Sequence, residues 1–311
     1  MNVRPDIGWT YLIALTEITT MTLVTKPLDS SGGILVHRHS DEELLELPVE
    51  TIKDLMKSAG VVMFRGFDVG PDAMKQFANQ YSYKFNRDRL RPTVEGSGGH
   101  VQMVTEGTGY VDPHCEQANS PFRPDAIWFS CTKPAAEGGE TLYWDGVRLW
   151  EELGTELQDL FRDKKLRFFQ CYSKDKWQLF LGHDATVEDI RKTLDNLEGV
   201  SYFLNADEAL YLEYVCPAVV RTRYGNVEAF ANSLMSEWTN TLGDLMTFDD
   251  GTPISKEIVS QVKAALDRCT ETVDWKPGDL VFIDNSRFLH GRNGFTDPSR
   301  KIFSSLSFLN F

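Results

Sequence analysis

The sequence predicts a mainly β protein, a sandwich or jelly roll with helices on its flanks. Three observations lead there. Short apolar runs bounded by turn residues recur at Val61-Val62-Met63-Phe64, Ala126–Cys131, Thr141–Trp144, Leu280-Val281-Phe282-Ile283 and Ile302–Phe311. Runs of about four to eight such residues suit strands buried on both faces. Helical patterns do not alternate with them one for one, which argues against a doubly wound parallel sheet. No repeat, low-complexity tract or linker-like composition divides the 311 residues, so residues 21–311 are expected to form one domain. A hydrophobic fraction of 41% and an aromatic fraction of 12% exclude disorder as the main state.

The elements follow in chain order. Residues 1–20 read as an N-terminal extension, free to be disordered. Tyr11–Leu15 is too short for a signal core, Glu17 interrupts it, and Met21 offers a more ordinary start. From Asp41 to Lys57 apolar positions suggest a helix, broken at Pro48 and ended by Gly60. Pro71–Tyr81 reads as a helix with proline near its start. Residues 84–113, rich in Gly, Thr and Pro, read as loop with short strands. Gly138-Gly139 turns the chain into the strand Thr141–Trp144, and Val147–Lys164 is helical in pattern. Residues 155–225 are expected to form a lid-like insertion, with strands at Leu166–Cys171 and Tyr211–Val215 and a helix at Val187–Leu197. A helix is expected at Ile254–Cys269, and Trp275–Asp279 turns into the run from Leu280.

Charge narrows the partners. Forty-six acidic side chains against 32 basic ones give a formal net charge of −14. That leaves no electrostatic footprint for nucleic acid or an anionic membrane. The one basic cluster, Lys84, Arg87, Arg89 and Arg91, is diluted by Asp88 and reads as a solvated loop or strand end. The five cysteines are odd in number, widely spaced and without a C-x-x-C. They do not make a secreted disulfide framework, so a cytoplasmic location is expected. No apolar run approaches the ~20 residues of a membrane span.

Common catalytic patterns are missing: there is no Walker A, no G-x-S-x-G and no H-E-x-x-H. His114-Cys115-Glu116 matches the H-x-E of zinc deaminases, but their P-C-x-x-C does not follow. Residues i and i+2 of a strand share a face, so His114 and Glu116 can offer an imidazole and a carboxylate to one metal. A third ligand must come from elsewhere. His290 lies in a polar, glycine-flanked segment after a strongly apolar run, a good place for a ligand, although a hydrogen-bonded structural role suits it equally. Two histidines and one carboxylate on one face of an iron leave positions open for substrate and oxygen. His37 and His39 also form a pair, read here as structural or solvated. Arg300, ten residues beyond His290, can grip a dicarboxylate through its guanidinium fork or make a surface salt bridge. Thr141 can add a hydroxyl to the same carboxylate or serve as an ordinary strand threonine.

Together these pieces resemble the TauD/TfdA-like family of iron(II)- and 2-oxoglutarate-dependent oxygenases, and they run in the family's order. Gly60–Phe67 resembles its early strand, His114-Cys115-Glu116 its H-x-[DE], and Arg123-Pro124-Asp125 the segment that follows. Gly138-Gly139-Glu140-Thr141 resembles its G-G-x-T, and Trp275–Asp279 with Asp284–Arg292 its C-terminal block. The resemblance covers roughly residues 60–311. It implies a double-stranded β-helix of cupin-like, jelly-roll form. It implies His114, Glu116 and His290 on iron(II), with Arg300 and Thr141 on the distal carboxylate of 2-oxoglutarate. It further implies a reaction that consumes 2-oxoglutarate and O2, releases succinate and oxidises a substrate C–H bond. Related halogenases lack the carboxylate ligand, so Glu116 argues against halogenation.

One departure bears on the substrate. Related enzymes often carry an arginine four residues after the 2-oxoglutarate arginine, clamping a substrate anion; here Ser304 stands there. The expected substrate is therefore a small amino-acid-derived molecule, free or tethered to a carrier protein, in natural-product biosynthesis. The alternatives are a catabolic dioxygenase of a small organic acid and a non-catalytic metal-binding protein on the same fold. Tyr110, four residues before His114, is a substrate-binding candidate by position.

Overall fold

Period-two alternation inside the apolar runs decides where the core lies. Val61, Met63, Ile127, Phe129, Cys131, Val281 and Ile283 pack with Tyr143, Val273 and Phe288 in one cluster. Their neighbours Val62, Phe64, Ala126, Trp128, Leu280 and Phe282 belong to a second cluster. Successive strand side chains point to opposite faces, so these strands must be covered on both. The computed structural model describes residues 23–28, 32–88, 91–104, 107–241, 243 and 245–311, and it meets that demand. The expected extension 1–20 lies outside the described residues.

The larger sheet runs in the order Val24–Pro27, Ile34–His37, Val61–Arg65, Asp279–Asp284, Ala126–Lys133, Lys301–Leu309, Ser82–Asn86, with Gln102–Met103 also paired to Lys301–Leu309. Its pairings are antiparallel except Ile34–His37 with Val61–Arg65. A smaller sheet, Glu271–Val273, Thr141–Asp145, Phe288–Arg292, Val111–His114, supplies the facing layer. The helices Val49–Ala59 and Pro71–Tyr81 put Ile52, Met56, Met74 and Phe77 into the cluster on the outer face of the larger sheet. The helix Lys256–Cys269 covers the outer face of the smaller one. The sandwich with flanking helices is as the sequence predicts.

Local signals explain most boundaries. Pro48 caps Val49–Ala59, and Gly60 ends it in the left-handed region at φ 73°. Ser255 caps Lys256–Cys269 by accepting from the Ile258 amide. The expected helix Val147–Lys164 is two helices, Gly146–Glu152 and Thr155–Asp163, because Gly154 is extended between them. Two helices were not anticipated, Lys174–Leu181 and Leu234–Thr241. The first belongs to the 155–225 stretch. There Lys165–Tyr172 and Leu210–Pro217 join Val200–Leu204 and Met246–Phe248 in a separate sheet, with Val187–Leu194 beside it. Trp177, Ile190, Leu194, Leu210 and Leu212 give that unit its own core.

Candidate active site

The strand Val111–His114 is the edge of the smaller sheet, and it contains Pro113. Proline has no N–H for a ladder and is tolerated at an edge or a bulge. Both apply: His114 pairs with His290 and Val111 with Arg292, so Asp112 and Pro113 stand opposite Gly291 alone. His114 and His290 are thereby directly opposite, ring centroids 4.3 Å apart. His290 lies in the middle of the strand Phe288–Arg292, which is buried throughout.

Glu116 reaches the same point by a different route from the one expected. The strand stops at His114, so strand alternation does not aim the carboxylate. Asn285 does. Its amide oxygen accepts from the Glu116 N–H at 2.8 Å, and its amide nitrogen donates to the Glu116 carbonyl at 3.0 Å and the Pro124 carbonyl at 2.8 Å. Glu116 Oε2 then lies 3.5 Å from His290 Nε2 and 3.9 Å from His114 Nε2. One ligand atom from each residue lies within 4.8 Å of the others. Oε2 is buried with no hydrogen-bond partner among the described residues. An orphaned carboxylate oxygen between two imidazole nitrogens is costly unless a cation occupies the gap. Bonds of about 2.1 Å at right angles place neighbouring donors ~3 Å apart, so the cluster fits one metal ion with little movement.

Electrostatics favour the ligating forms. Burial, with His290 beside it, pushes the His114 imidazole down to about 4. Its Nδ1 donates to the Asp112 carbonyl at 2.8 Å, which leaves Nε2 the lone pair. Burial works to raise the Glu116 carboxyl, but Arg91 and the two histidines outweigh it and hold it below the ordinary carboxylate range. Arg91 was read from the sequence as part of a solvated cluster. The structure instead brings it into the cleft, with Nη1 3.9 Å from Glu116 Oε1.

The same cleft, about 420 Å³, is lined by Thr141 and Arg300. Gly138 and Gly139 explain how the arginine gets there. Both have positive φ, 71° and 73°, and a Cβ on Gly138 would stand 2.3 Å from the Gly294 carbonyl oxygen. The turn they make presents the Gly139 carbonyl, which accepts from Arg300 Nε at 3.0 Å. Arg300 is 9% exposed, and burial with Arg292 nearby lowers its guanidinium to about 10. Thr141 Oγ1 accepts from the Trp275 indole N–H at 3.0 Å and keeps its own proton to donate. Among the described residues, Arg292 and Arg300 line this cleft, and their guanidinium groups suit an anionic ligand.

A second, larger cleft of about 1350 Å³ shares Glu116 with the first. Its apolar wall comes from the 155–225 stretch, including Tyr172, Phe180, Leu181, Leu210 and Leu212, and its polar wall from Asn86, Arg87, Asp88, Gln117, Asn119 and Gln170. Tyr110 is not brought into this set: it is 50% exposed and lines neither cleft. Ser304 is buried on the strand Lys301–Leu309, opposite Gln102 and Phe129. His37 is exposed, with Nδ1 bonded to the Arg38 carbonyl, and His39 is exposed too, as expected.

Two facing sheets with a two-histidine, one-carboxylate cluster between them are the architecture of an iron- and 2-oxoglutarate-dependent oxygenase. The chain belongs to the family described as taurine catabolism dioxygenase TauD, TfdA family, which matches residues 31–306. It is 24% identical to the dapdiamide synthesis protein DdaC of Enterobacter agglomerans over 277 residues, 78% of this chain and 81% of that one. It is 26% identical to a clavaminate synthase-like protein of Arabidopsis thaliana over 298 residues, 84% and 88% of the two chains. PvcB of Pseudomonas aeruginosa shares the fold, with a TM-score of 0.61 at 16% identity over 94% of each chain. Another structure of PvcB describes it as an Fe, alpha-ketoglutarate dependent oxygenase from an isonitrile synthetic pathway. The protein is thus a 2-oxoglutarate-dependent dioxygenase acting on a small molecule, with iron(II), 2-oxoglutarate and O2 as its cofactor and co-substrates. No helix among the described residues is long and apolar enough to cross a membrane.

Proposed function

We propose that His114, Glu116 and His290 hold iron(II), that Arg300 and Thr141 hold the distal carboxylate of 2-oxoglutarate, and that the larger cleft takes the substrate. The observation that carries this reading is the position of Glu116, which lines both clefts. A molecule in the larger cleft would sit against the metal ligands, while one in the smaller would reach Arg300. Iron(II) with 2-oxoglutarate and O2 supplies an oxidant able to take hydrogen from an unactivated C–H bond, as 2-oxoglutarate is converted to succinate and carbon dioxide.

The chain's own residues orient and select. Arg300 offers a buried fork to a carboxylate, and Thr141 donates its hydroxyl proton alongside. Phe180, Leu181, Leu210 and Leu212 exclude water from an apolar arm of the substrate, while Arg87, Asp88 and the amides of Asn86 and Gln117 line the side that would meet its polar end. An amino-acid-derived molecule with an apolar side chain, free or carried on a partner protein, matches that division. With serine at position 304, neither wall depends on an anion clamp there. The names of DdaC and PvcB, one a synthesis protein and one from an isonitrile pathway, support a biosynthetic setting.

The test is a screen of amino acids, their amides and carrier-bound esters, and organic acids for substrate-stimulated succinate release. Stimulation by an amino-acid-derived compound with an apolar side chain is expected. Stimulation by simple organic acids alone would transfer the protein to catabolism.

A further inference from the structure

The two oxygens of Glu116 have different surroundings. Oε2 faces both imidazole nitrogens, at 3.5 and 3.9 Å, whereas Oε1 faces Arg91 Nη1 at 3.9 Å. Arg91 is held in place. Its Nε lies 3.4 Å from Asp88 Oδ2. Buried Gln102 grips the backbone on either side: its amide nitrogen donates to the Asp88 carbonyl at 2.6 Å and the Arg91 carbonyl at 3.0 Å, and its oxygen accepts from the Asp88 N–H at 2.9 Å. A guanidinium anchored in this way behaves as part of the site rather than as a solvated surface charge.

We propose that Arg91 is a positioning residue that engages Oε1 and so limits Glu116 to ligation through Oε2 alone. The inference rests on the metal assignment above. A glutamate binding through both oxygens would take up a position that the chelating co-substrate or oxygen needs. Aspartate, shorter by one methylene, has less freedom to swing both oxygens round. A glutamate at this position gains more from such a restraint.

The experiment uses the full-length protein with Mn(II) as the metal probe and calorimetry as the readout, first for metal and then for 2-oxoglutarate on the metal-loaded protein. Arg91→Gln is expected to bind Mn(II) within about threefold of wild type but 2-oxoglutarate at least ~tenfold more weakly. Arg91→Lys, which keeps the charge, should recover part of that loss. Gln102→Leu should show the same pattern in smaller measure without touching the guanidinium. A purely structural role would lower the melting temperature and leave the 2-oxoglutarate affinity of the folded variant unchanged, and that result overturns the inference. The wild-type arm separates the two readings. Metal-loaded wild type that fails to bind 2-oxoglutarate overturns the oxygenase assignment together with this inference. Wild-type binding alongside an indifferent Arg91→Gln overturns this inference alone.

Discussion

His114 and His290 face each other across an antiparallel strand pair with ring centroids 4.3 Å apart. Gly291 permits the approach. A Cβ there would stand 2.5 Å from the Val111 carbonyl oxygen and 3.2 Å from the Trp144 ring. The backbone carbonyl cannot yield without moving the edge strand that carries His114. Gly291→Ala should therefore cost about 1–3 kcal/mol of stability as overpacking. It should also weaken metal binding by ~tenfold or more, because the opposed imidazoles are drawn apart. Urea denaturation and Mn(II) titration check both. A variant with wild-type metal affinity would remove the packing of this glycine from the account.

Arg300 makes the second prediction. A charge-assisted hydrogen bond is worth roughly 1.5–3 kcal/mol, and each ~1.4 kcal/mol is tenfold in affinity. Arg300→Ala should raise the 2-oxoglutarate requirement by about tenfold or more. Arg300→Lys should recover little of it, since an ammonium cannot reproduce the fork. An unchanged requirement would move the role to Arg292, which lines the same cleft.

For the substrate, the larger cleft predicts selectivity for an apolar arm. Phe180 packs edge-on against Tyr172 at 5.8 Å on that wall. Phe180→Ala should raise KM for the substrate by roughly tenfold with a smaller effect on kcat, since it removes binding common to ground and transition states. Taurine and simple aryloxyacetates should be poor substrates in direct competition with an amino-acid-derived compound. Efficient turnover of taurine would refute the argument from Ser304 and leave the metal assignment intact.

The cysteines supply a pH prediction. Burial pushes the Cys131 thiol up to about 12 and the Cys115 and Cys216 thiols up to about 11. In the unfolded chain each would ionise near the ordinary value of 9.0. The folded pKa values lie above the unfolded one, so the stability these thiols contribute is complete below pH 9 and lost as pH rises from 9 towards 12. Urea midpoints should hold up to about pH 9 and fall steeply between about pH 9 and pH 11. At pH 8 a thiol reagent should find one fast site, Cys171, the exposed one. Several fast thiols in the folded protein would contradict this burial pattern.

The sandwich was legible because its strands are buried on both faces and so read as unbroken apolar runs. Gly138-Gly139 was legible because a turn of positive φ restricts residue type locally, and His290 stood out as a polar residue beside an apolar run. What was not legible depends on side chains arriving from far along the chain. His114 and Glu116 were noticed as a strand pair, yet Asn285, 169 residues after Glu116, sets the glutamate's backbone. Arg91 sat in a charged run of ordinary appearance, and nothing in that run signals that it lines the cleft beside Glu116. Tyr110 was chosen by proximity in sequence, but it precedes the strand Val111–His114, is half exposed and lines neither cleft. The helix Lys174–Leu181 was missed because its main apolar anchor, Trp177, packs into a small separate core built with Ile190, Leu194, Leu210 and Leu212.

The central claim is that three side chains from two adjoining strands and the turn after one of them bind one metal. Calorimetric titration of the full-length protein with Mn(II), alongside Glu116→Ala, tests it most directly. Wild type should take up one metal ion per chain, and with metal at ~100 times its dissociation constant the fold should gain about 2.7 kcal/mol against urea. Glu116→Ala should show neither binding nor stabilisation in the same range. Equal uptake and equal stabilisation by Glu116→Ala would contradict the account.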